Sequence, residues 1–203
     1  MTTGKAILIS NEATDGLAAH IARLDLPRRG ISLPLEGSSE RAFGSFVELW
    51  GENDILRRTI ASWPFSARAW LVEEHIPVEY ERTWASGDPS PGVRLISSIH
   101  RRDGMSRAEF EDYWLGPHTE VARSYTVAVW HYNQNIVVEP LTSDSGEDGF
   151  VGMHFRNAEQ LRARWQDHPA EAAAGARDAA RFMMVDRSLS ITAIETVWED
   201  ASE

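Results

Sequence analysis

Val93-Arg94-Leu95-Ile96-Ser97-Ser98-Ile99-His100-Arg101-Arg102-Asp103-Gly104-Met105-Ser106-Arg107-Ala108-Glu109 holds a strand, a turn and a helix start in one short run. Apolar and β-branched residues dominate Val93 to His100, which reads as a strand, and Arg101 to Gly104 ends it with turn chemistry. Ser106-Arg107-Ala108-Glu109 has the capping-box spacing, in which the Ser and Glu side chains satisfy backbone N–H groups reciprocally. Phe110, Tyr113 and Trp114 follow at helical spacing, and Pro117 is expected to interrupt or kink the helix.

Working outward, Val127 to Val138 reads as a long strand, Asp144 to Gly149 as a turn and Gly149 to Phe155 as a returning strand. Asn157 opens a helix with Leu161 and Trp165 four apart. His168-Pro169 breaks it before the Ala-rich Ala170 to Ala180, expected to lid a pocket, and Leu189 to Trp198 is the last strand. The order is βαββαβ. The first half repeats it: strand Lys5–Ser10, helix Asp15–Leu24, strands Gly30–Leu35 and Phe43–Trp50, helix Asp54–Trp63 stopped by Pro64, and strand Ala67–Tyr80.

Three collinear matches support the repeat: Leu8-Ile9-Ser10 with Leu95-Ile96-Ser97, Trp50–Arg57 with Phe155–Arg162, and Leu71-Val72-Glu73 with Ala193-Ile194-Glu195. The Pro- and Gly-rich residues 86–92 suit an exposed linker between a scaffold repeat, 1–85, and a second repeat, 93–203. A βαββαβ unit makes a four-stranded antiparallel sheet with helices on one face, so the bare face needs a partner. The expected fold is therefore α+β, with two tandem ferredoxin-like βαββαβ units closing into an intrachain dimeric α/β-barrel. A cavity between the sheet faces is the expected ligand place.

Composition narrows the partners. Thirty-one acidic against twenty basic residues give a formal charge of -11, a field that repels nucleic acid and anionic lipid. No cysteine occurs, which excludes disulfides, thiol nucleophiles and Cys-ligated metal. The longest early apolar run, Ala6 to Ile9, is too short for a signal or spanning segment, so a cytoplasmic protein is expected. Eight tryptophans imply much ring surface to place in core and cavity wall.

His100 to Trp114, followed by His118, resembles the opening of EthD-type domains of the dimeric α/β-barrel superfamily: basic residues, a Ser-capped helix with Phe and Trp, and a His four after the Trp. Tyr132-Asn133-Gln134-Asn135 is similar to the Tyr and Gln on that family's second strand. The resemblance covers about residues 93 to 198; Pro117 before the His and Thr119-Glu120 after it depart from the pattern. It implies a small-molecule protein that often needs no cofactor, in a superfamily of dehydratases, decarboxylases, isomerases and cofactor-free oxygenases acting on aromatic or polyketide compounds. Other members bind haem, and one EthD-type protein is an accessory to ether degradation.

Histidine is the usual general acid or base near neutral pH. His118 is the first catalytic candidate, with His100 and His131 beside it; strand order 4-1-3-2 would make the strands of His100, His154 and His131 neighbours. Tyr132 and Gln134 share one strand face and offer a hydroxyl and an amide to a ligand oxygen, while His131, Asn133 and Asn135 share the other. The candidate site is thus His118, His100, His131 and Tyr132 for catalysis, and Gln134, Asn135, Tyr113, Trp114, His154 and Arg101 for substrate. No His-x-His or His-x-x-x-His pair supports a metal. The expected activity is a cofactor-independent lyase of dehydratase or decarboxylase type. The alternatives are a non-catalytic binder or accessory protein and a cofactor-free monooxygenase. The expected partner is a small hydrophobic or aromatic molecule, without nucleic acid or membrane, and a homodimer is left open.

Overall fold

The computed structural model describes residues 3–11, 16–35, 43–125, 128–143 and 146–200. Asp15, Val127 and Asp144, named above as element ends, and the Trp165 side chain lie outside the described residues. The first repeat runs β1 Thr3–Ser10, α1 Leu17–Ala22, β2 Arg28–Pro34, β3 Ser45–Glu52, α2 Asn53–Ala61 and β4 Arg68–Val78. The second runs β5 Val93–Ile99, α3 Arg107–Tyr113, α4 Thr119–Tyr125, β6 Val129–Pro140, β7 Gly149–Phe155, α5 Ala158–Gln166, α6 Pro169–Ala179 and β8 Ser190–Glu199.

Each repeat has the strand order 4-1-3-2, and the eight antiparallel strands close into a barrel in the order β1-β3-β2-β8-β5-β7-β6-β4. The repeats join edge to edge, β2 on β8 and β4 on β6, so each covers the other's bare edges and no sheet edge remains open. Alternation along the strands divides the apolar residues between two faces. Ile7, Ile9, Phe46, Trp70, Val72, Ile96, Val137, Phe150 and Ile191 fill the barrel. Ala6, Leu8, Val47, Leu49 and Leu71 face the first repeat's helices, where Leu17, Ile21, Leu56 and Ile60 meet them.

The internal matches hold on β1 and β5: Leu8 and Leu95 face helices, and Ile9 and Ile96 face inward. The third match names the right strands with the wrong phase. Glu195 is buried and paired to Arg94, whereas Glu73 is exposed; Glu74 is the residue of β4 that points inward, to Lys5. Residues 86–92 run along β8, with Gly87 N–H donating to Val197 O (2.9 Å), Ser90 N–H to Glu195 O (2.7 Å) and Ser90 buried.

The capping box forms as the spacing requires: Glu109 N–H donates to Ser106 Oγ and Ser106 N–H to Glu109 Oε2. Pro117 does not end the helix. Residues Trp114–His118 widen into a π-helical turn that accommodates the missing N–H, and α4 continues from it. The Trp114 carbonyl at this turn accepts from Thr119 Oγ1 (2.9 Å) and from Gln134 Nε2 (3.0 Å). Gly149 lets the turn settle on the sheet, because a Cβ there would lie 2.4 Å from the Trp114 ring.

Candidate functional site

A cavity of about 490 Å³ lies between the helix-facing side of the second repeat's sheet and its helices. The expected place, between the sheet faces inside the barrel, is instead filled by side chains, because both repeats point large aromatic and aliphatic residues inward. The sheet wall of the cavity is Leu95, Ser97, Ile99, Val151, Met153 and Ser190. The helical walls are Trp114, His118, Val121 and Ala122 on one side and Glu171, Ala172, Gly175, Ala176 and Ala179 of α6 on the other, closed by Phe182 and Met183. Small residues on α6 leave the space that larger ones would fill, so the Ala-rich stretch is a cavity wall.

His118 is the titratable group at the heart of this lining. Its Nδ1 meets Asp178 Oδ2 at 2.7 Å, and Asp178 Oδ1 accepts from the Tyr113 hydroxyl, also at 2.7 Å. Asp178 is 8% exposed and Phe182 packs on the imidazole with centroids 4.6 Å apart, so the ring is held at its edge by the carboxylate and on its face by the phenyl ring. With Nδ1 protonated toward the carboxylate, the neutral ring carries its lone pair on Nε2, the arrangement of a general base oriented by an acid. Burial and the hydrogen bond to Asp178 raise the Tyr113 phenol above its usual range, which keeps it a donor. Sequence reasoning missed Asp178. Its only signal is a lone acid in the last turn of an otherwise Ala-rich helix.

The other expected site residues fall elsewhere. Trp114 lines the cavity, while Tyr113 connects to it only through Asp178 and then His118. Gln134 sits beneath the π-helical turn and holds it, also accepting from Thr119 Oγ1 (3.1 Å). Tyr132 is buried with Val93, Ala122, Met153 and Phe155. His100 lies just past β5 with Nδ1 donating to Gly146 O (2.7 Å), and Arg101 pairs with Asp148 (3.2 Å). None of these four is among the cavity-lining residues.

His131 and His154 are direct partners across β6 and β7 and share the barrel interior, so they do not join His100 or His118. Asn135 is inside as well, donating to Phe150 O. They border an ionic cluster that the sequence reading did not anticipate. Arg94 binds Glu48 and Glu195 (2.7 Å), Lys5 binds Glu48 (2.7 Å) and Glu74 (2.6 Å), and Asn133 donates to Glu74 (2.9 Å). Burial alone would raise the Glu48 carboxyl, but the Arg94 and Lys5 charges and hydrogen bonds outweigh it and hold it far below the carboxylate range. Burial, then the nearby Arg94 charge, pushes the His131 imidazole down to about 4, and His154 shifts the same way. Both rings are therefore neutral at pH 7. Gly152 makes the cluster possible, since a Cβ there would lie 2.3 Å from Asn133 Oδ1 and 2.6 Å from Arg94 Nη2. Among the described residues no group of three or more His, Asp and Glu could hold a metal ion, and no helix is long and apolar enough to cross a membrane.

The EthD domain model matches residues 102–186, which bears out the resemblance carried by the aromatic helix and His118 and places it on the segment that builds the cavity. No curated protein matches the sequence. Among solved structures, an anthrone oxidase-like protein superposes with a TM-score of 0.68 at 9% identity, over 98% of this chain and 94% of that one. A putative monooxygenase from Fusobacterium nucleatum subsp. nucleatum ATCC 25586 gives 0.59 at 4% identity over 99% and 96%. Chlorite dismutase from Candidatus Nitrospira defluvii gives 0.51 at 10% over 94% and 90%. At these identities the likeness is one of fold, a ferredoxin-like pair of repeats in a single chain.

Proposed function

We propose that the second-repeat cavity binds a small, mainly hydrophobic aromatic or polyketide-like carbonyl compound and that His118, oriented by Asp178, removes a proton from a carbon acidified by the carbonyl, next to it or conjugated to it through an aromatic ring, without a cofactor. The observation that carries this reading is His118 on the wall of a mostly apolar cavity, backed by Asp178 and, behind that, Tyr113. In water such a proton is weakly acidic. In a cavity that excludes water, a positioned base supplies typically ~10²–10⁴-fold of rate.

The preferred continuation is a dehydratase-type lyase step: the C–H proton goes to Nε2, the C=C bond forms as the β-hydroxyl leaves, and that oxygen departs with the proton as water. A second continuation uses dioxygen as co-reactant: the same carbanion is oxidised, a CH₂ becoming C=O while the other oxygen atom leaves as water. The similarity in fold to an anthrone oxidase-like protein favours keeping it. A third outcome is binding without turnover. Haem, known in other barrels of this superfamily, does not fit these residues, because among the described residues no Arg or Lys lines the cavity to pair with its propionates.

The test is incubation with 3-hydroxy-1-tetralone and with anthrone, in air and under nitrogen, followed by product mass. Loss of water from the tetralone in both atmospheres supports the lyase, oxygen gained by anthrone only in air supports the oxygenase, and unchanged compounds that still bind support a carrier. Turnover unchanged in His118→Ala would sink the role given to that residue.

A further inference from the structure

We infer that Ser97 and Ser190 form an oxygen-reading pair that selects neutral keto or hydroxyl compounds over carboxylates; the inference rests on the cavity being the ligand site. The two serines face each other across β5 and β8 as register partners, with Oγ atoms 2.7 Å apart. They stand on the wall formed by Leu95, Ile99, Val151 and Met153, where a helix-facing strand ordinarily places apolar residues.

Two hydroxyls carry two protons and four lone pairs. Their mutual bond spends one proton and one lone pair, which leaves one O–H to donate and lone pairs to accept. A ligand oxygen is the natural recipient, since a half-buried hydroxyl facing apolar space without a partner carries a desolvation cost. Ser188, the third serine of the lining, spends its own proton on the Ser98 carbonyl. The pair is therefore a recognition element distinct from the strand-end serine beside it.

Charge sets which oxygen it reads. Among the described residues the lining has no Arg or Lys, its carboxylate is Glu171, and the imidazole of His118 is already paired with Asp178, so a substrate carboxylate would meet a like charge and no unpaired cation. A neutral ketone or phenol meets neither problem. His118 is on the helical wall and the serine pair on the sheet wall, so a ligand between them offers its oxygen to the sheet and its acidic C–H to the helix. This geometry favours dehydration over decarboxylation, whose substrate must carry a carboxylate.

Equilibrium dialysis at pH 7 with 1-naphthol, 1-methylnaphthalene and 1-naphthoate tests the pair, the three differing mainly in the group offered. Wild type should bind 1-naphthol roughly tenfold tighter than 1-methylnaphthalene, the worth of one good hydrogen bond, and 1-naphthoate weakest. The Ser97→Ala/Ser190→Ala variant should bring the naphthol preference to about one while holding 1-methylnaphthalene affinity. Each single variant, keeping one hydroxyl, should retain part of the preference, and stands in if the double variant does not fold. A preference that persists in the double variant, or naphthoate binding as tightly as naphthol, overturns the inference and leaves the ligand site intact. Failure of all three probes to bind overturns the ligand site as well.

Discussion

Arg94→Met removes the guanidinium that holds Glu48 and Glu195 inside the barrel. Arg94 is buried and ties β5 of the second repeat to β3 of the first, so its loss strikes the closure of the barrel. Glu48 keeps Lys5, but Glu195 keeps only the Ser90 and Tyr80 hydroxyls, with His154 Nδ1 3.9 Å away. Removing one partner of a buried ion pair costs ~3–5 kcal/mol, because the charge left behind stays desolvated. With an m-value of ~2 kcal/mol/M, a loss near ~4 kcal/mol moves the urea midpoint down by ~2 M. Urea unfolding followed by tryptophan fluorescence measures it. The gap between variant and wild type should be largest at pH 8 and shrink toward pH 5, since the orphaned carboxyls rise in pKa, take up protons and cease to be buried charges. Adding Glu195→Gln should recover part of the loss at pH 8. A gap below ~1 kcal/mol at pH 8, or one of constant size across this range, would refute the reasoning.

Wild-type stability should fall as pH drops from about 6.5 toward 4. The unfolded His131 imidazole takes up a proton in that window while the folded one, held near 4 by burial, does not. His131→Gln should flatten that limb of a pH–stability curve, and an unchanged curve would count against it. From the ordinary carboxylate pKa downward the depressed Glu48, Glu74 and Glu195 steepen the loss, since the unfolded carboxyls take up protons while the paired ones in the barrel stay ionised. Gly152→Ala should cost ~1–3 kcal/mol in the same urea assay by driving a methyl into Arg94 and Asn133. Asp178→Asn should cut turnover of any processed carbonyl probe by ~100-fold or more with the fold intact, since the amide no longer fixes the imidazole tautomer. Ala176→Phe should abolish probe binding in dialysis while shifting the urea midpoint little, and undiminished binding would place the ligand outside the cavity beside His118.

Much of the fold was legible from local chemistry. The capping box at Ser106 and the Asn157 N-cap announce helix starts, Pro64 and Pro169 mark boundaries, and alternation on β1 and β5 separates Leu8 and Leu95 from Ile9 and Ile96. Pro117 interrupts the α-helix as its missing N–H requires, but that the interruption is a π-helical turn with helix resuming after it depends on Thr119 and Gln134 binding the Trp114 carbonyl, a tertiary arrangement. Of the site, His118 and Trp114 were visible and Asp178 was not: nothing in an Ala-rich helix says which of its acids meets an imidazole sixty positions earlier.

From the sequence alone came two collinear βαββαβ repeats, the antiparallel order within each, and an aromatic helix ending at a histidine. These depend on periodicity, capping and turn chemistry, which act over a few residues. Only the tertiary structure decided that the barrel interior is a packed and ionic core and that the cavity lies under the helices. Both outcomes turn on strand register and on which side chains are large enough to fill a space. A one-residue slip reverses every inward and outward assignment on a strand, as Glu195 and Glu73 demonstrate, and the empty volume beside His118 exists because residues of α6 far along the chain are small.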